Sequence, residues 1–242
     1  MYQRLKRMVP RRVRLAWEAP LRQVLYLFFR GDAYRCNICG AGLRRYIRLP
    51  DDLMCPRCGS LSRNRRLYGL LTSEFLRPGV RLLDFSPSRA LYRALKATPG
   101  IDYVSSDFAG EFVADRHYDL TRLDVPDASV DLITCFHVLE HIVEDQAAMA
   151  ELHRVLAPGG AALIQTPFKA GTIHEDPTIT TPEGRRVAFG QEDHVRTYSA
   201  DGLATRLGEA GLNVDVREFT DPLDNPRGLA AHEIILVGRR AA

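Results

Sequence analysis

Cys36-Asn-Ile-Cys39 and Cys55-Pro-Arg-Cys58 form two Cys-x-x-Cys pairs with fifteen residues between them. A two-residue gap lets one tight turn aim both sulfurs at a single ion, and a second such turn completes a closed tetrahedron. Gly40 and Gly59 directly follow the pairs, where the turn needs positive φ or close backbone approach. The spacing predicts a four-cysteine zinc ribbon. Its metal should be structural, since four sulfurs leave no open coordination position. Two disulfides are the alternative, but nothing in the chain indicates an oxidising compartment. Cys135 lies in an apolar run and reads as a core residue.

A second group of residues sits in "RLLDFSPSRALYRALKA", 81–97. A buried strand delivers Asp84 into a tight turn, and a helix follows. Nucleotide-cofactor turns of this shape normally carry glycines that let the backbone approach the ligand. Here the turn reads Phe85-Ser86-Pro87-Ser88. Ser86 and Ser88 offer hydroxyls and backbone N–H groups beside a helix N-terminus, and Pro87 can sit at the first helical position without losing a needed donor.

A third group lies in "TPFKAGTIHEDPTITTPEGRRVAFGQEDHVRTYS", 166–199, with His174, Glu175, Asp176, Asp193, His194, Arg196 and Tyr198. A loop this long and this rich in ionisable groups is more often functional than filler. His194 is the expected general base, oriented by Asp193 or Asp176, and Arg196 is the candidate for an anionic acceptor. The alternative is a set of solvated loop charges.

The elements that must position these groups divide the 242 residues into four parts. Residues 1–34 form a basic amphipathic segment, with Trp17, Leu21, Val24, Leu25, Phe28 and Phe29 at roughly helical spacing. Pro20 should split it into two short helices. It could lie on an anionic membrane surface, though packing against the ribbon or the larger domain is the preferred expectation. Residues 35–62 form the ribbon and 63–79 a linking helix. Arg44, Arg45, Arg48 and Tyr46 in the ribbon loop could grip nucleic acid or simply pack a small module. From 80 to 242 short apolar strands alternate with helices, which argues for a parallel sheet covered on both faces. Strands are expected at 81–85, 102–106, 113–116, 130–136 and 161–166, helices near 88–97, 143–157 and 200–211. An irregular stretch spans 169–197. Two strands expected to pair antiparallel close the chain near 212–219 and 232–238.

Residues 1–66 hold 16 Lys/Arg against 4 Asp/Glu, whereas the whole chain is only +3. A basic head on an acidic body suggests a polyanionic partner, or a head that packs on acidic surface of its own or a second chain. No apolar run approaches a membrane span, and no signal peptide is evident. A cytoplasmic protein without a transmembrane span is expected.

"SVDLITCFHVLEHIVEDQAAMAELHRVLAPGGAALIQTP", 129–167, with "YDLTRLDVPDASVDL", 118–132, and "YVSSDF", 103–108, closely resembles class I S-adenosylmethionine-dependent methyltransferases of the type 11 branch. The resemblance implies an α/β, Rossmann-like, seven-stranded sheet behind a small N-terminal zinc ribbon. It places S-adenosyl-L-methionine across the carboxyl ends of the first strands. Asp84, Phe85, Ser86 and Ser88 would then border the methionine end. Asp107, with Phe108 beside it, would take the ribose hydroxyls, a vicinal diol that suits a carboxylate. Asp119 and Leu120 would read adenine, and Phe136 and His137 would flank the methionine part. Glu140 and His141 follow at the methyl end, where a similar pair in some relatives contributes to a divalent metal site, and His141 is a second candidate base.

The leading function is methyl transfer to a hydroxyl or similar nucleophile of a small molecule or glycan. An RNA methyltransferase gripping phosphates through its basic head is the alternative, as is a zinc-stabilised binding protein without cofactor affinity. Peripheral membrane contact and oligomeric state stay open at this point.

Overall fold

The computed structural model describes residues 11–242, with side chains from Trp17 onward. The chain forms two compact units. The first comprises the described residues up to Glu74 with Arg89–Ala94 and Thr220–Ala231. It begins with helix α1 (Arg11–Leu27), followed by β1 (Arg30–Arg35), β2 (Gly42–Leu43), β3 (Ile47–Arg48), β4 (Leu53–Met54) and helix α2 (Ser62–Leu70). β1 pairs antiparallel with β2, and β3 with β4.

So small a unit has few apolar residues to bury, and a buried cation organises it instead. Arg65 is fully buried and donates to the carbonyls of Ser60 (2.6 Å), Leu53 (2.8 Å) and Arg227 (2.7 Å). Its guanidinium also lies 4.3 Å from the Tyr46 ring centroid. Burial of an arginine is tolerable when its donors are met in this way. Tyr46 therefore belongs to the ribbon core, with Cys36, Ala41, Leu43 and Cys55, and is not a surface stacking residue.

Two expectations for the N-terminal segment fail. α1 runs unbroken through Pro20. Glu18 and Arg22 form a 3.0 Å ion pair that spans the proline and ties the turns on either side of it. The large apolar residues Trp17, Leu21, Val24 and Phe28 are exposed, while Glu18, Arg22, Tyr26 and Phe29 are half-buried. Tyr26 wins this face because its hydroxyl donates to the Gly42 carbonyl at 3.2 Å and its ring lies 5.5 Å from the Arg57 guanidinium. After α2 a single π-type turn, Leu71–Phe75, replaces the rest of the expected linking helix.

The second unit comprises Phe75–Ser88, Leu95–Phe219 and His232–Ala242. Its strands are β5 (Arg81–Phe85), β6 (Asp102–Ser106), β7 (Val130–Phe136), β8 (Leu156–Gln165), β11 (Asn213–Thr220) and β12 (His232–Arg239). They form one mixed sheet of six in the order β11-β12-β8-β7-β5-β6. β6, β5, β7 and β8 are parallel, and β12 runs antiparallel to β8. The Rossmann-like α/β class is as expected, but the strand count is six. The segment expected as a strand at 113–116 makes only one bridge, Ser106 to Arg116. Backbone bonds are confined to its end, from Asp115 N and Arg116 N to the Ser105 carbonyl and from Asp107 N to the Arg116 carbonyl, and the Asp115 carboxylate adds side-chain bonds from Ser105 N and Oγ and from Lys96 Nζ.

Helices α3 (Arg89–Lys96), α4 (Asp145–Val155), α5 (Pro182–Phe189) and α6 (Ala200–Glu209) complete the chain, with a two-strand pair of β9 (His174–Glu175) and β10 (Arg196–Thr197). α4 lays Ala148, Met149, Leu152 and Val155 on Ile133, Cys135, Ala162 and Ile164 of the sheet. The stretch 169–197 is thus not wholly irregular. Thr181 caps α5 by accepting from Gly184 N, Pro182 takes the first helical position, and Gly190 ends the helix in the left-handed conformation.

Candidate functional site

The chain passes from β5 to β6 on one side and then crosses to β7 on the other. That reversal opens a crevice at the carboxyl ends of β5 and β7, where open α/β sheets bind ligands. Register brings the expected residues to this edge, because Phe85 pairs with both Ser106 and Cys135. Ser86, Asp107 and Phe136 therefore end three adjacent strands.

Ser86 answers the question raised by the missing glycines. It occupies the left-handed region itself, at φ 49°. Its N–H donates to the Ser106 carbonyl at 2.7 Å and its hydroxyl to Asp107 Oδ1 at 2.9 Å. Asp107 is buried, and its other oxygen accepts from Phe112 N at 3.0 Å. His137, one residue past β7, is also left-handed, at φ 57°. Non-glycine residues in that region are uncommon and gather where function over-determines the backbone.

The other expected cofactor residues differ in setting. Asp84 turns into the sheet, accepting from Thr134 Oγ1 at 2.5 Å and Tyr103 Oη at 3.0 Å, and burial raises its pKa to about 7. Phe85 and Leu120 are core side chains, and Phe108 is exposed. Asp119 is exposed, held ionised below the usual carboxylate range by bonds from the Thr121 hydroxyl and N–H. Ser88 lies half-buried just ahead of α3.

Beside the crevice stands a cluster that spacing in the sequence could not assemble. Glu140, in a short 3-10 turn (Leu139–His141), is buried, and both its carboxylate oxygens lack a hydrogen-bond partner. His137 Nδ1 lies 3.4 Å from Glu140 Oε1. The rings of His141 and His194 meet edge to face, with centroids 4.7 Å apart. Donor atoms of Glu140, His141 and His194 all fall within 4.8 Å of one another, close enough to share a cation or a proton. The fold supplies this proximity through Val195 N, which donates to the Glu140 carbonyl at 2.9 Å. Burial lowers the His194 pKa, against an opposing pull from the Glu140 charge.

Three expected roles change. Asp193 stands 3.3 Å from His141 Nδ1 and so serves His141 more directly than His194. Asp176 is occupied by the N–H and hydroxyl of Thr178. Arg196 is not free for an acceptor: it is buried, pairs with Glu175 at 2.8 Å and donates to the carbonyls of Ile142 and Val143. Tyr198 likewise is structural, its hydroxyl donating to Asp145 at 2.5 Å. Sequence reasoning passed over Gln165 and Thr166 at the end of β8, whose buried oxygens Oε1 and Oγ1 lack partners. No local pattern signals them, since only the register of β7 with β8 brings them to this edge.

In the first unit the four cysteine sulfurs lie within 4.8 Å of one another, with Cys36–Cys58 and Cys39–Cys55 each at 3.8 Å. Tetrahedral Zn–S bonds of about 2.3 Å imply sulfur separations of about 3.8 Å. The donor set fits a closed zinc site.

The family model described as a methyltransferase domain matches residues 61–216. The chain belongs to this family, the S-adenosylmethionine-dependent methyltransferases. It is 31% identical over 172 residues to the demethylmenaquinone methyltransferase of Beutenbergia cavernae, covering 60% of this chain and 72% of that one. It is 36% identical over 100 residues to a protein of Mycolicibacterium smegmatis named as an S-adenosylmethionine-dependent methyltransferase, covering 41% of this chain and only 35% of that protein's length. A malonyl-[acyl-carrier protein] O-methyltransferase of Serratia marcescens is 31% identical, covering 46% of each chain. Among solved structures, the methyltransferase bound to the Trm112 activator of Haloferax volcanii superposes with TM-score 0.52 at 16% identity, over 73% of this chain and 89% of that one. The [4+2]-cyclase SpnF gives 0.53 at 17% identity, over 82% and 87%. The two superpositions carry the fold and nothing finer.

Proposed function

We propose that the protein transfers a methyl group from S-adenosylmethionine to a hydroxyl of a small molecule or glycan, with His194 as general base. The observation that carries this reading is the buried Glu140 carboxylate, whose oxygens accept no hydrogen bond, set beside His137, His141 and His194. A base that takes up a hydroxyl proton becomes cationic, and a buried carboxylate at hand balances that charge. Desolvation lowers the His194 pKa and so favours the neutral, proton-accepting imidazole. Asp193 orients His141, whose ring in turn braces His194. The O-methyltransferase among the relatives supports an oxygen acceptor.

The cofactor supplies the methyl group. Asp107, steadied by Ser86, receives the ribose hydroxyls, and Asp119 with Leu120 borders the adenine. Ser86, Ser88, Phe136 and His137 surround the methionine end. Asp84 supports the turn from within the sheet. The four cysteines hold a structural zinc ion that fixes the ribbon.

Calorimetric titration with S-adenosylhomocysteine tests the cofactor half. Micromolar binding is expected, and Asp107→Ala should weaken it at least about thirtyfold through loss of a charge-assisted bidentate contact. His194→Ala should bind the cofactor normally yet lose about 10²–10⁴ in turnover of a hydroxyl acceptor. Binding that is absent in the folded wild-type chain would overturn the enzyme reading.

A further inference from the structure

The outer face of α1 is apolar and bare. Trp17, Leu21 and Val24, with Phe28 in the turn that ends the helix, follow one another at i, i+4, i+7 and i+11, and are 62%, 62%, 58% and 66% exposed. They occupy one stripe, since those intervals return to the same side of a helix. Leu27, beside them, is exposed as well. The opposite face is the one fixed to the ribbon, through Arg22, Tyr26 and Phe29. A continuous apolar stripe of this kind marks a surface that something covers.

Charge identifies the cover. Residues 1–16 contain six Lys/Arg and no Asp/Glu. The helix's one acid, Glu18, is turned away from the stripe and engaged by Arg22 at 3.0 Å and Arg89 at 2.5 Å. Just past the C-terminal end of α1, Arg45 and Arg48 border a cavity of about 270 Å³ with Phe29, and Arg45 lies 5.4 Å from the Phe29 ring centroid. A second copy of the helix would bring two cationic segments together. Nucleic acid would meet the arginines and leave the apolar stripe in water. An anionic bilayer surface meets both, with the stripe at the acyl boundary and the cations among headgroups. No helix among the described residues is long and apolar enough to cross a membrane, so the geometry is that of a helix lying in the interface.

We propose that α1 anchors the protein on membranes of anionic lipid, inserting Trp17, Leu21, Val24 and Phe28.

Trp17 is the chain's only tryptophan, so its fluorescence reads the stripe directly. The full zinc-loaded chain is mixed with vesicles of phosphatidylcholine, with and without phosphatidylglycerol. Anionic vesicles should move the emission to the blue, and brominated acyl chains should quench it. The double variant Leu21→Ser, Val24→Ser alters only exposed side chains and should keep its zinc, yet partition onto these vesicles at least about tenfold more weakly. No blue shift on anionic vesicles overturns the proposal. So does unchanged partitioning of the double variant, which would reduce binding to charge alone. A lipid-free dimer with Trp17 already blue-shifted would assign the stripe to a second copy. A larger shift with single-stranded RNA than with vesicles would assign the segment to nucleic acid.

Discussion

The ribbon knuckles and the crevice turns both place residues in the left-handed region, using different side chains to do so. Gly40 and Gly59 end the knuckles at φ 69° and 79°, where glycine carries no steric penalty. Ser86 and His137 end β5 and β7 at φ 49° and 57°, where a Cβ makes the conformation unfavourable by about 1–2 kcal/mol each. The ribbon asks its turns only to aim sulfurs, so nothing is lost by omitting a side chain. The crevice asks its turns to present groups as well: Ser86 holds Asp107, and His137 faces Glu140. At these two strand ends the strained conformation coincides with a side chain that has a task, whereas Ala128, left-handed at φ 52° in a turn ahead of β7, presents only a methyl group. The two ligand clusters differ in the same sense. The four thiols close around one point, while the Glu140, His141 and His194 group leaves carboxylate oxygens unmatched.

The largest effect should come from the closed cluster. Cys36 and Cys55 are fully buried, and a structural zinc site contributes folding free energy directly, about 10 kcal/mol or more in small zinc modules. Cys36→Ser should abolish stoichiometric zinc, measured by metal analysis, and expose the first unit to rapid proteolysis. Zinc retained at one ion per chain in this variant would refute the assignment. The corresponding loss at the other cluster should be purely kinetic, as argued for His194.

How far the sequence foretold these regions follows from how each is assembled. The cysteine cluster is local: two short spacings and one loop contain it, so its geometry could be read from residue order. The crevice is half local. Strand-end residues such as Ser86 and Asp107 follow from alternating strands and from family resemblance, but whether Asp84 faces ligand or sheet depends on Thr134 and Tyr103, which come from other strands. The His194 cluster is not local at all, because a bond between Val195 and Glu140 joins segments more than fifty residues apart. Arg196 illustrates the opposite error. Its charge looked available in the sequence, yet partners from α4 and β9 consume it. The signal for α5 is local, Thr181-Pro182 at its start and Gly190 at its end, but it lies inside a stretch whose polar, aperiodic composition otherwise reads as loop. α1 shows the limit of periodicity, which finds an apolar stripe without saying whether protein covers it.

A smaller effect separates buried support from ligand contact in the crevice. Asp84 is buried, and desolvation raises its pKa from 3.8 to about 7. Between those values the folded chain keeps a proton that the unfolded chain has released. The group therefore stabilises the fold at low pH, and that stability is lost as pH rises toward 7. Urea unfolding should show the wild type losing stability relative to Asp84→Asn between pH 5 and 7, with a slope approaching about 1.4 kcal/mol per pH unit at the lower end and levelling off by pH 8. A difference that is flat with pH would mean that Asp84 is ionised throughout, and that it serves a ligand instead of the sheet.

The smallest effect tests the comparison itself. A Cβ at Gly40 would meet nothing within 4 Å, so Gly40→Ala isolates the cost of a left-handed φ and should destabilise the first unit by about 1 kcal/mol. Ser86→Gly should relieve a similar strain, but it also removes the hydroxyl bond to Asp107, worth about 0.5–1.5 kcal/mol, and adds unfolded-state entropy. These contributions nearly cancel, so its melting temperature should barely move. Cofactor affinity should nevertheless fall several-fold, because Asp107 loses the partner that orients it. If Ser86→Gly instead stabilises the chain as much as Gly40→Ala destabilises it and leaves affinity unchanged, the serine has no task, and the strain at this edge must be held by the sheet alone.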